Sequence, residues 1–162
     1  MIKWMYPGTF DPITLGHLDI IERAARMVDV LCIAIMENNT KRCDFSPVER
    51  KIYIEKACAH IPNVRVYIGE GLTAEYAKKL ECCALVRGIR AVVDYEYELA
   101  LATSNMRIYP DLETLLLVSK PEYSFLSSSI AKEVARYDGD ISGFLPQVIC
   151  QDVKQRLKNK DI

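Results

Sequence analysis

Short apolar runs alternate with longer segments of helical period along this chain, and that alternation limits the fold more than any other feature. Residues 2–6, 30–36, 64–68, 84–87 and 114–118 read as strands. The run 30–36 is continuously apolar and rich in β-branched residues, as a strand covered on both faces should be. Between the strands, 17–28 places Leu18, Ile21, Ala25 and Val28 on one helical face. Residues 72–80, 93–107, 128–136 and 146–158 also read as helices. A further helix is announced by "SPVER": Ser46 as N-cap, Pro47 at the first helical position and Glu49 placed to close a capping box, with the helix running to about His60. Alternating β and α units imply a parallel sheet with helices on both faces. No internal repeat, low-complexity segment or long linker divides the sequence. The expectation is one α/β domain over residues 1–162, a doubly wound sheet of five parallel strands.

Composition sets the surroundings. A chain of 162 residues that is 50% hydrophobic can bury a sizeable core. Its formal net charge of -1 gives no global attraction to nucleic acid or to an anionic membrane, so any anion site has to be built locally. No run approaches the roughly 18–20 apolar residues of a membrane span, and the first residues lack a signal-peptide pattern. The six cysteines (Cys32, Cys43, Cys58, Cys82, Cys83, Cys150) show no C-x-x-C or metal-finger spacing. Reduced thiols in a cytoplasmic protein are expected, with the adjacent Cys82 and Cys83 as buried apolar filler.

Open parallel sheets bind ligands beyond the carboxyl ends of their strands, and the polar residues of interest do follow strands. "MYPGTFDPITLGHLDII" (residues 5–21) runs from a strand through a tight loop into a helix, crowding Thr9, Asp11, Thr14 and His17 around the junction. Such a junction can be an ordinary turn, or a phosphate site built on a helix N-terminus. The second strand is followed by Lys41 and Arg42, the fourth by Arg87, Arg90 and Glu98, and the fifth by three serines at a helix start. Neither a G-x-G-x-x-G nor a G-x-x-x-x-G-K-[ST] motif occurs.

"GTFDPITLGH", "RGIRAVVDYEYE" and "YSFLSSSIAKEVA", in that order and at these separations, closely resemble the bacterial phosphopantetheine adenylyltransferases, nucleotidyltransferases with a [TH]-x-G-H signature. The resemblance covers nearly the whole chain, including "GDISGFLP" near its end. It implies a Rossmann-like nucleotidyltransferase fold and transfer of the adenylyl group of ATP to 4′-phosphopantetheine, giving dephospho-coenzyme A and pyrophosphate. Such chemistry needs no strong general base or acid, because the nucleophile is an ionised phosphate and the leaving group is pyrophosphate with magnesium. It needs two polyanions aligned and their charge neutralised. Two alternatives stand beside this reading: a nucleotidyltransferase acting on another phosphorylated acceptor, and a non-catalytic nucleotide- or coenzyme-A-binding protein.

Carried over by resemblance, the catalytic set is His17, Thr9, Lys41 and Arg90. Contacts to ATP fall on Thr9, Phe10, His17, Gly88, Ile89, Arg90, Glu98 and the segment Tyr123, Ser124, Phe125, Leu126, Ser127, Ser128 and Ser129. Contacts to phosphopantetheine fall on Thr9, Lys41, Thr73 (through its main chain) and Arg87. Asp11 reads equally as a loop brace or as part of the site, Asp94 and Glu96 are expected to brace loops or face solvent, and His60 to have no role. No carboxylate cluster resembles a metal cage, so Mg2+ is expected to arrive with ATP. The resemblance also implies a homohexamer and coenzyme A as a feedback inhibitor.

Overall fold

The computed structural model describes residues 1–37 and 42–158. Five strands, β1 (Lys3–Gly8), β2 (Val30–Met36), β3 (Val64–Gly69), β4 (Ala84–Ile89) and β5 (Glu113–Val118), form one sheet in the order β3-β2-β1-β4-β5. Every neighbouring pair is parallel. The helices are α1 (Leu15–Ala25), α2 (Pro47–Ala57), α3 (Thr73–Lys79), α4 (Val92–Ile108), α5 (Ser128–Arg136) and α6 (Gln147–Lys158), with a short 3₁₀ turn at Pro121–Tyr123.

Strand β2 explains why its sequence is apolar throughout. Leu31, Ile33 and Ile35 join one core cluster with Ile20, Ile21, Ile54 and Val153 from α1, α2 and α6. Cys32 and Ala34, on the opposite side of the pleat, join a second cluster with Met5, Ala74, Ala77, Leu85 and Leu112. The central β1 therefore has helices over both of its faces.

The chain winds outward in two directions from β1, so the switch point lies between β1 and β4. β1 pairs with β2 along its length, from Lys3↔Val30 to Gly8↔Ile35. With β4 it pairs only at Trp4↔Ala84 and Met5↔Leu85. Beyond that the two strands part toward their carboxyl ends, and the parting makes the crevice in which this class of sheet takes its ligands.

Several details differ from expectation. Helix α1 begins two residues earlier than position 17, because Thr14 caps it, and it stops at Ala25 rather than 28. The Asn63 side chain takes the carbonyls of both Ala25 and Val28, closing that end. Helix α2 ends at Ala57, short of His60. Cys82 is buried as expected, but Cys83 is exposed at the entry to β4, and all six cysteines are free. Helix α4 buries only Glu98. No helix among the described residues is long and apolar enough to cross a membrane.

Candidate active site

The loop between β1 and α1 is held at nearly every residue. Thr9 offers its carbonyl to Arg50 Nη1 at 2.9 Å. Phe10 has a φ of 50° and is almost fully buried, a backbone conformation that costs a non-glycine residue about 1–2 kcal/mol. Its ring lies so close to Gly8 that a Cβ there would sit 2.8 Å from it, so any larger residue at position 8 would have to displace this buried ring. The Asp11 carboxylate accepts from the N–H groups of Asp44 and Phe45 and from Lys132 Nζ at 2.6 Å. The Pro12 carbonyl accepts from Ser128 Oγ at 2.8 Å, and Leu15 N–H reaches the carbonyl of Phe144. Asp11 is thus a brace, as one reading of the sequence had it.

His17 is the third residue of α1 and completes its cap. Thr14 Oγ1 accepts the His17 N–H, and the Thr14 N–H donates to His17 Nδ1 at 3.0 Å. A main-chain N–H can only donate, so Nδ1 is an acceptor and the neutral ring carries its proton on Nε2. Burial, and then the positive charges of Arg87 and Arg90, lower the His17 pKa to about 4. The ring packs edge-on to Phe10, centroids 5.0 Å apart, and lies 6.4 Å from Tyr6. At neutral pH this residue is an uncharged donor with a fixed direction.

Across the crevice, Arg87 near the end of β4 donates from Nε and Nη2 to both oxygens of Glu98, each at 2.8 Å, and from Nη1 to the carbonyl of Pro7. One guanidinium therefore ties β4 to α4 and bridges to the end of β1 where the strands have parted. Glu98, placed by resemblance on the adenosine side, has its carboxylate occupied by this pair. Burial disfavours the arginine's charge, but Glu98 outweighs it, and the Arg87 pKa is raised. Gly88 brings β4 close to α1, with Ile20 Cγ1 only 3.2 Å from where a Cβ would stand. Ile89 ends the strand. Arg90 bonds to Asp94 and, through Nη1, to the Leu126 carbonyl at 2.7 Å. Asp94 in turn caps the N–H groups of Arg90 and Ala91.

The serine segment divides its labour. Ser127 is the N-cap of α5, accepting from Ile130 N–H. Ser128 reaches back to the opening loop, while Ser129 is exposed on the first turn. Upstream, Tyr123 ends the 3₁₀ turn, Ser124 Oγ bonds to Pro121, Phe125 is exposed against Phe144, and Leu126 is buried. Thr73 opens α3 just after β3, on the same sheet edge. Lys41 lies outside the described residues. His60 is exposed and pairs with Glu22, away from this cluster.

Residues 5–134 match the cytidylyltransferase-like family. A phosphopantetheine adenylyltransferase of Finegoldia magna is 46% identical over 98% of this chain and 98% of its own. One from Thermotoga neapolitana is 46% identical over 95% and 96%. The chain belongs to the phosphopantetheine adenylyltransferase family. A bifunctional NMN adenylyltransferase/ADP ribose pyrophosphatase from Francisella tularensis shares the fold, with a TM-score of 0.70 at 15% identity, over 99% of this chain and 50% of that one.

Two cations of this phosphopantetheine adenylyltransferase family member escape a reading of its motifs. Arg50 and Lys132 are both buried and both hold the opening loop. Lys132 also pairs with Asp44 at 2.8 Å, which Arg136 contacts as well. Burial alone would raise the Asp44 pKa, but the two cations outweigh it and bring it down to about 2. A signal for Arg50 did exist: it is spaced with Tyr53, Ile54 and Ala57 on the buried stripe of α2, where a solvated arginine does not belong.

Proposed function

We propose that the chain transfers the adenylyl group of ATP to 4′-phosphopantetheine, releasing dephospho-coenzyme A and pyrophosphate. The observation that carries the reading is His17: a neutral imidazole, its Nε2–H fixed by the Thr14 N–H, at the end of a loop that Ser128 ties to a helix start bearing three serines. A donor of fixed direction is suited to charge that develops during reaction and costs no reorganisation at that moment. Thr9 and Phe10 would contact the nucleotide, the α5 start with Ser127 to Ser129 would hold its outer phosphates, and Arg90 would face the same anions. Lys41, Arg87 and the main chain of Thr73 would meet phosphopantetheine.

Among the described residues no group of three or more His, Cys, Asp or Glu could hold a metal ion, which suits Mg2+ carried on ATP phosphate oxygens. Turnover that survives complete chelation would count against this. A homohexamer is supported by the family resemblance and by α4, which exposes Val92, Val93, Tyr97 and Leu99. Sedimentation as a monomer at micromolar concentration would refute it. Feedback inhibition by coenzyme A and a cytoplasmic location complete the proposal; competition with ATP in kinetics and cell fractionation test them.

The central experiment follows pyrophosphate release from ATP with and without phosphopantetheine, with nicotinamide mononucleotide and CTP as substitutes. Equal amounts of dephospho-coenzyme A and pyrophosphate are expected from ATP with phosphopantetheine alone. No product at saturating substrates refutes the proposal, and turnover of a substitute instead would point to a different acceptor or nucleotide.

A further inference from the structure

Arg50 is 3% exposed, yet both of its acceptors among the described residues are main-chain carbonyls: Thr9 O at 2.9 Å and Ser46 O at 3.4 Å. A guanidinium cannot shed its charge, and burying one without a carboxylate is costly. Every other anchor of the opening loop is compensated more simply. Asp11 meets Lys132, and Ser128 and Phe144 form neutral hydrogen bonds with Pro12 and Leu15.

The peptide link between Thr9 and Phe10 gives the arginine a purpose. The link is trans, so its C=O and N–H point to opposite sides. Holding the Thr9 oxygen toward α2 therefore turns the Phe10 N–H away from α2. That N–H finds no acceptor among the described residues, although Phe10 itself is almost fully buried. The positive φ of Phe10 leaves the peptide in a sparsely populated conformation that something has to maintain. Arg50 is the only described side chain bonded to the Thr9 carbonyl.

We infer that Arg50 is a positioning residue for adenylyl transfer: its hold on the Thr9 carbonyl presents the Phe10 N–H to a phosphate oxygen of the nucleotide. This rests on reading residues 9 and 10 as a nucleotide contact. Without Arg50 the peptide is free to rotate, and the loop no longer offers a donor there.

The chain contains four phenylalanines, Phe10, Phe45, Phe125 and Phe144, so protein labelled with [15N]phenylalanine gives a main-chain amide spectrum simple enough to assign. MgATP is titrated into wild type, R50M and R50K, and steady-state kinetics are measured on the same preparations. In wild type the Phe10 signal is expected to move downfield on ATP binding. In R50M that movement is lost while the Phe125 signal still responds, and kcat falls about 10²-fold, the scale of loss when a reacting group is misplaced. R50K keeps a charge but loses the fixed fork, so kcat should fall roughly tenfold with a reduced Phe10 shift. If R50M does not fold, R50K carries the comparison. Wild-type kcat and a wild-type Phe10 shift in either folded variant overturn the inference, as does a wild-type enzyme that makes product while its Phe10 signal ignores ATP. A wild-type protein that makes no product overturns the functional reading instead.

Discussion

Replacing His17 by alanine separates transition-state stabilisation from binding. The ring's Nε2–H is aimed by the 3.0 Å bond from Thr14 N–H to Nδ1, and the residue is neutral at pH 7. Loss of one such aimed donor typically costs about 10²–10³ in kcat, roughly 3–4 kcal/mol, while KM for ATP should change much less. Stability should fall too, by a different route. Thr14 N–H loses its acceptor, about 1 kcal/mol, and the edge contact with Phe10 goes, about 0.5–1.5 kcal/mol. A total of about 2 kcal/mol corresponds to a Tm lower by about 4–8 °C in a chain of this size.

The same substitution has a pH signature. The folded-state pKa of about 4 lies below the unfolded value of 6.5. Folding therefore disfavours the protonated ring. The stability this contributes is complete above pH 6.5 and is lost as pH falls from there toward 4, up to about 3 kcal/mol. His17→Ala has no such loss, so its deficit against wild type should shrink, vanish and then reverse by about 1 kcal/mol as pH approaches 4. In wild type, no limb of the kcat profile between pH 5 and 8 should trace to His17. The assays are pyrophosphate release, calorimetric melting and urea unfolding from pH 4 to 8. A folded variant that keeps kcat within tenfold of wild type, or that raises KM for ATP with kcat intact, refutes the reasoning.

Lys132→Met leaves Asp11 and Asp44 without the ammonium that reaches both, at 2.6 and 2.8 Å; urea unfolding should show a loss of about 3–5 kcal/mol, and a loss below 1 kcal/mol would mean the carboxylates find other partners. Ser128→Ala removes the bond to the Pro12 carbonyl, about 1 kcal/mol, and should raise KM for ATP more than it lowers kcat; the opposite split would place Ser128 with the reacting phosphate. His60→Ala severs only an exposed pair with Glu22 and should leave activity unchanged and stability within about 0.5 kcal/mol, which makes it the control for the other two.

Much of this fold was legible because its signals are local. The Ser46–Pro47–Glu49 helix start and the bounds of α5 needed only neighbouring residues, and both stand as read. Helix α1 was misplaced by two residues because its capping box closes with His17, where glutamate or glutamine is the usual partner, so the pattern gave no warning. The motif residues of the site were visible as types at strand ends. Their supports were not, since Arg50 meets Thr9 across 41 positions and Lys132 meets Asp11 across 121. Pairings of that range depend on how the sheet winds, which no short window records. The Arg87–Glu98 pair is of another kind: only 11 positions apart, both residues fall within one motif, where they read as separate ligand contacts rather than as partners of each other.

The anchoring of residues 9–15 also fixes when their ordering occurs. A loop already held at most of its residues loses its conformational freedom as the chain folds, about 1–2 kcal/mol per residue, and little is left to lose when a nucleotide arrives. Calorimetry of ATP binding should then show the modest heat-capacity change of docking onto a rigid surface, without the large unfavourable entropy of coupled folding. Selection for robustness alone would discard such a loop, because a positive φ at Phe10 and a buried guanidinium at position 50 with no carboxylate partner among the described residues both work against the native state. Directed evolution toward heat resistance is therefore expected to relax these two positions early, and to return sturdier proteins that turn over more slowly.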